Sequence, residues 1–196
     1  MKAFTRLLVL CTTAAASAFT TVAIAHESPV DHIDRDFRIL VKNGALTVTY
    51  RVGLTERAAL LQLKAMDTDS DARISDTEAD AFFTAQAKTL ADLLVVQIDG
   101  KPVTLTPAGS VQRDLRLGQT YTFTAPLSAL TPGRHPGTLA DGYSRQYPGA
   151  FRWLSPGEGG PKDIRVESVV VPQDAGRAQR EHAPWIELKF DLVVPE

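Results

Sequence analysis

Phe37-Arg38-Ile39-Leu40-Val41-Lys42-Asn43-Gly44-Ala45-Leu46-Thr47-Val48-Thr49-Tyr50-Arg51-Val52 is the stretch that decides the fold. Phe37, Ile39 and Val41 alternate with Arg38 and Lys42. After Asn43-Gly44, Leu46, Val48, Tyr50 and Val52 alternate with Thr47, Thr49 and Arg51. Alternation with period two marks a half-buried strand, because successive strand side chains point to opposite faces. Asn-Gly between two such runs suits a tight turn whose two central residues need positive φ. The stretch predicts an antiparallel hairpin with one face in a core.

The same pattern recurs outward from there. Val96 and Ile98, then Val103 and Leu105, flank Asp99-Gly100 and predict a second hairpin. Tyr121, Phe123 and Ala125 alternate with threonines. Ile164, Val166 and Val170 form a further candidate strand, and Ile186, Leu188, Phe190 and Leu192 alternate with Glu187, Lys189 and Asp191. The Gly-, Pro- and aromatic-rich stretch 133–160 reads as long loops around a strand near Ala150–Leu154. Short strands between Pro/Gly turns predict an α+β fold that is β-sandwich-like, with mostly antiparallel strands. One segment departs from the pattern. Residues 55–94 repeat with helical spacing, Ala59, Leu60, Leu63 and Met66 on one face, then Ala79, Phe82, Phe83, Gln86 and Leu90 on another. They predict an inserted helix–loop–helix.

The chain has 196 residues, 44% hydrophobic and 22% charged, with 21 basic and 23 acidic side chains. That composition excludes a collagenous, wholly disordered or multi-span membrane protein. A formal charge of −2 argues against a duplex nucleic-acid partner, which calls for a basic excess. Residues 1–25 read as a secretory signal: Lys2 and Arg6, the apolar run Leu7–Phe19, then Ala23-Ile24-Ala25 as a cleavage site. The expected product is one β-rich domain over residues 26–196, periplasmic or secreted, with no later membrane span. The only cysteine, Cys11, leaves with the signal, which excludes disulfides, thiolate metal sites and a cysteine nucleophile.

Between the two helical runs lies Asp67-Thr68-Asp69-Ser70-Asp71-Ala72-Arg73-Ile74-Ser75-Asp76-Thr77-Glu78. Carboxylates at every second residue of a tight loop can converge on one point. Ca²⁺ is a hard cation that takes roughly six to eight oxygens at about 2.3–2.6 Å. The loop resembles the EF-hand calcium loop, D-x-[DN]-x-[DN]-G-x5-E, with Ala72 in place of the usual Gly. The resemblance implies one Ca²⁺ held by Asp67, Asp69 and Asp71, the backbone carbonyl of Arg73, Ser75 directly or through water, and both oxygens of Glu78. It also requires a left-handed backbone at Ala72, which costs a residue with a Cβ about 1 kcal/mol over Gly. Ile74 takes the family's apolar position, with no second loop to pair with. A bland reading stands beside this one: Ser75-x-x-Glu78 is also a capping box, which starts a helix with no metal.

Three further features supply alternatives. Cleavage after Ala25 would make His26 the first residue, and its amine and ring nitrogen suit Cu(II), as in a periplasmic copper-delivery protein. Tyr143, Tyr147, Phe151 and Trp153, with Arg145 and Arg152, would serve a ligand-binding or adhesion module, or simply pack on the core. The order of parts is similar to extracytoplasmic domains of bacterial nickel/cobalt-type transporters. No G-x-S-x-G, H-E-x-x-H or P-loop occurs, so the expected role is non-catalytic, with an unidentified protein or ligand partner.

Overall fold

The computed structural model describes residues 33–113, 117–127, 130–145, 147, 149–154, 164–170 and 186–196. The expected signal peptide, His26, His32 and His182 lie outside them. Asn43 (φ 53°) and Gly44 (φ 70°) turn β1 (Ile33–Lys42) into β2 (Ala45–Leu54), with Lys42 opposite Ala45 and Val41 opposite Leu46. Two positive φ values in succession match the right-handed twist of the strands they join. The same device at Asp99 (φ 51°) and Gly100 (φ 72°) joins β3 (Leu94–Ile98) to β4 (Lys101–Val103).

Two sheets follow. In the first, β2 pairs with β1 on one side and with β7 (Gly118–Pro126) on the other. The short β5 (Thr106–Pro107) and β6 (Gln112–Arg113) both pair with β7, and β9 (Phe151–Trp153) runs parallel to β1 at the opposite edge. The second sheet is wholly antiparallel. Its order is β10 (Arg165–Val170), β11 (Ile186–Val194), β8 (Gly133–Asp141), β3, β4. The inward sets converge on one core: Phe37, Ile39, Leu46, Val48, Tyr121 and Phe123 from one sheet, Val96, Ile98, Leu139, Leu188, Phe190 and Leu192 from the other. The fold is α+β, with the helical insertion between β2 and β3.

Helix α1 (Glu56–Met66) starts at Thr55, whose Oγ1 accepts from the Ala58 amide at 3.1 Å, and α2 is Asp76–Leu93. The inward face of α2 is Ala79, Phe83, Ala87 and Leu90, with Phe82 and Gln86 half-buried beside it. The expected face of α1 needs correction. Ala58 and Met66 are buried and Gln62 lies half-buried between them, whereas Leu60 and Leu63 face outward. Small Ala58 lets the helix lie close, and among the described residues no further layer covers its leucines. Among the described residues, no helix is long and apolar enough to cross a membrane.

One other expectation fails, while the strand expected around Ile164–Val170 forms as β10. Residues 133–141 form β8, a strand of the second sheet, not a loop. Pro136 and Gly137 hide its alternation in the sequence. Gly137 is there because the Phe190 ring covers it, so that a Cβ would run into the ring. Pro136 lies just past the last β3–β8 pair, Ile98 opposite Gly137. Val170 is exposed, because the β10–β11 register shifts between Glu167 and Val170 and turns it outward.

Candidate metal centre

Met66 is the last residue of α1, and Asp67 caps it, its amide donating to the Leu63 carbonyl at 3.1 Å. The chain then closes into a loop held by its own aspartates. Asp67 Oδ1 accepts from the Asp71 amide at 3.1 Å and Asp67 Oδ2 from the Ala72 amide at 3.0 Å. Asp69 Oδ1 also accepts from the Asp71 amide, at 3.2 Å, and Asp71 Oδ1 from the Arg73 amide at 2.7 Å. Aspartate suits this because its short side chain reaches backbone amides a few residues along. These bonds turn the backbone left-handed at Ser70 (φ 62°) and Ala72 (φ 61°). The left-handed bend expected at position 72 is thus made here on alanine.

Asp67, Asp69 and Asp71 each offer a carboxylate oxygen, and the three oxygens lie within 4.8 Å of one another. Asp69 and Asp71 are exposed and Asp67 is half-buried. Among the described residues no basic side chain pairs with any of the three. Three like charges so close repel one another, and a hard cation offsets that repulsion.

Glu78 stands apart from the triad. Oε1 accepts from the Thr68 amide at 2.7 Å and its hydroxyl at 2.9 Å, and Oε2 from the Ser75 amide at 3.0 Å and its hydroxyl at 2.9 Å. The Glu78 amide donates to Ser75 Oγ at 3.3 Å, which completes the capping box of α2. The bonds from Ser75 and then Thr68 favour the ionised form and pull the Glu78 carboxyl down to about 2. Glu78 therefore latches the start of the loop to the start of the exit helix. Thr68, which completes this latch, was not among the residues singled out by sequence. Arg73 is exposed. Ile74 is half-buried and packs against the core, which answers where the unpaired apolar position goes.

A second cluster of charge is buried. Arg35 on β1 and Asp141 at the end of β8 are both fully enclosed, Nε to Oδ2 at 3.0 Å, and they tie one sheet to the other. Arg35 Nε also donates to Tyr50 Oη at 3.0 Å, Nη1 to the Ile33 carbonyl at 2.8 Å, and Nη2 to the Tyr147 carbonyl. The Tyr143 amide donates to Asp141 Oδ1 at 2.9 Å, and the Arg35 guanidinium lies 5.6 Å from the centre of the Tyr143 ring. Burial, and then the charge of Asp141, push the Tyr50 hydroxyl well above its usual range. The aromatic segment belongs to this packing. Phe151 stacks on Phe37 at 4.3 Å, Tyr143 is buried, and Trp153 packs half-buried on the core.

Comparisons with protein-family models, curated proteins and solved structures return no significant match to this chain.

Proposed function

We propose that residues 67–78 form a calcium site of EF-hand type, structural or modulatory and non-catalytic, in a protein exported to the periplasm or beyond. The observation that supports it is the convergence of three unpaired aspartates on a loop that already bends left at Ala72. The donor set is all oxygen, which suits calcium over softer metals. Asp67, Asp69 and Asp71 would hold the ion, with Ser75 and the carbonyl of Arg73 completing the shell. Glu78 joins only by giving up some of its four bonds to Thr68 and Ser75. That competition, in a lone loop, favours an affinity at the weak end for such loops, on the order of 10⁻⁵ to 10⁻³ M. Binding would offset most of the triad's charge and fix α1 relative to α2.

Melting the purified protein with and without millimolar calcium tests this. Calcium is expected to raise the midpoint, because an ion bound only by the folded state stabilises it. Asp67→Ala, which removes the one aspartate for which the motif admits no substitute, should remove most of the rise. Ala72→Gly should raise the midpoint with and without calcium alike, because the strain of about 1 kcal/mol it relieves is already present in the ion-free loop. A midpoint indifferent to millimolar calcium overturns the reading and leaves the loop as a helix cap.

A further inference from the structure

Helix α1 carries Leu60 at 66%, Leu61 at 51% and Leu63 at 47% exposure. One exposed leucine is ordinary, but Leu60 and Leu63, one turn apart on the same side of an 11-residue helix, form a patch that water contacts at a cost, while Leu61 lies on the other flank, beside Tyr143 and Tyr147. The charges around the patch say what covers it. Glu56, Leu60, Leu63 and Lys64 lie along one stripe of the helix, at spacings of four, seven and eight residues. Glu56 and Lys64 are equidistant from Leu60 along the chain and opposite in charge. A two-fold axis through Leu60 would therefore set each Glu56 against Lys64 of the other copy, and Leu60 against Leu60.

Leu63 also lines a groove of about 260 Å³ with Leu54, Met66, Ile74 and Leu117, and Leu117 is itself 38% exposed. The groove extends the patch beyond α1, with Leu117 beside Leu63. A bilayer of anionic lipid fits less well. Glu56 shares the stripe, and Asp67, Asp69 and Asp71 follow directly. We propose that the outward face of α1 is a self-complementary interface through which two copies of this chain pair antiparallel. Leu60, Leu63 and Leu117, each part-exposed, cover well under the roughly 800 Å² per partner of a standard interface, so the pair is weak and forms as concentration rises. It does not depend on the calcium reading.

Sedimentation velocity of the purified protein, from micromolar to millimolar and in chelator, tests this. The expected result is a mass that climbs from monomer toward dimer. Leu60→Glu should lower the association constant about tenfold or more without changing the melting midpoint, since the side chain is outside the core. Lys64→Glu should weaken pairing, and Glu56→Lys combined with Lys64→Glu should restore it, an outcome that mere loss of apolar surface does not produce. A monomer at every concentration overturns the proposal. So does a dimer that Leu60→Glu leaves intact, or a monomer that floats with anionic vesicles through these leucines.

Discussion

The acidic loop and the pair beneath the helices treat charge in opposite ways. At the loop, three aspartates of like sign, Asp67 half-buried and the other two exposed, have no basic side chain beside them among the described residues and are held by backbone amides a few residues away. Under the sandwich end, Asp141 meets Arg35 with both side chains fully enclosed. Water screens the first cluster, so its repulsion is tolerated. It cannot screen the second, so the fold supplies the counter-charge itself, together with donors from Tyr50 and Tyr143. A charge that the chain neutralises internally is architecture. A charge cluster that it leaves open suits a cation from outside.

The largest effect that would break this comparison is expected at the buried pair. Asp141→Asn keeps the shape but leaves Arg35 enclosed without its counter-ion, at a cost of about 3–5 kcal/mol. Chemical denaturation should show the midpoint fall accordingly. Replacing both residues, Arg35→Met with Asp141→Leu, should cost less than the single change, because no charge is then stranded. A single variant as stable as the parent would mean that water reaches the pair, and the contrast with the loop would disappear.

Asp69→Asn sharpens the comparison with the opposite sign. It keeps an acceptor for the Asp71 amide while removing one of three crowded charges. In calcium-free buffer it should raise stability by about 0.5 kcal/mol or less, as exposed charges interact weakly. The same change should reduce the response to calcium. Loss of stability in calcium-free buffer would show that the loop's hydrogen bonds outweigh its repulsion.

How far each region can be read from sequence follows from the same physics. The loop's interactions join residues two to ten apart, so their spacing is written in one short stretch, down to the left-handed turn at Ala72. The hairpins were equally legible, because Asn43-Gly44 and Asp99-Gly100 sit between alternating runs. The buried pair joins β1 to β8, and its one local sign is Arg35 on the inward side of the β1 alternation, between Ile33 and Phe37. Strand β8 itself was hidden, since Gly137 is fixed by Phe190 on another strand. The α1 leucines misled for a related reason. Helical spacing locates an apolar face but does not say whether another layer meets it.

The smallest expected effect lies between these two extremes. His135 on β8 places Nδ1 2.7 Å from Asp99 Oδ2 and Nε2 2.8 Å from the Thr131 carbonyl. Both partners accept, so both ring nitrogens are best satisfied when protonated. The Thr131 carbonyl first, and then Asp99, raise the histidine pKa above its ordinary 6.5. A raised folded value means that this clasp stabilises the protein fully below pH 6.5 and is lost as pH climbs through the folded value. Stability measured across that window should fall slightly, and His135→Gln should flatten the slope. The pair is largely solvent-screened, so the slope should shrink further in high salt. The Arg35–Asp141 pair, shut away from ions, should not respond. A stability profile that rises through the same window would mean that His135 is held neutral, and the exposed pair would then belong with the buried architecture.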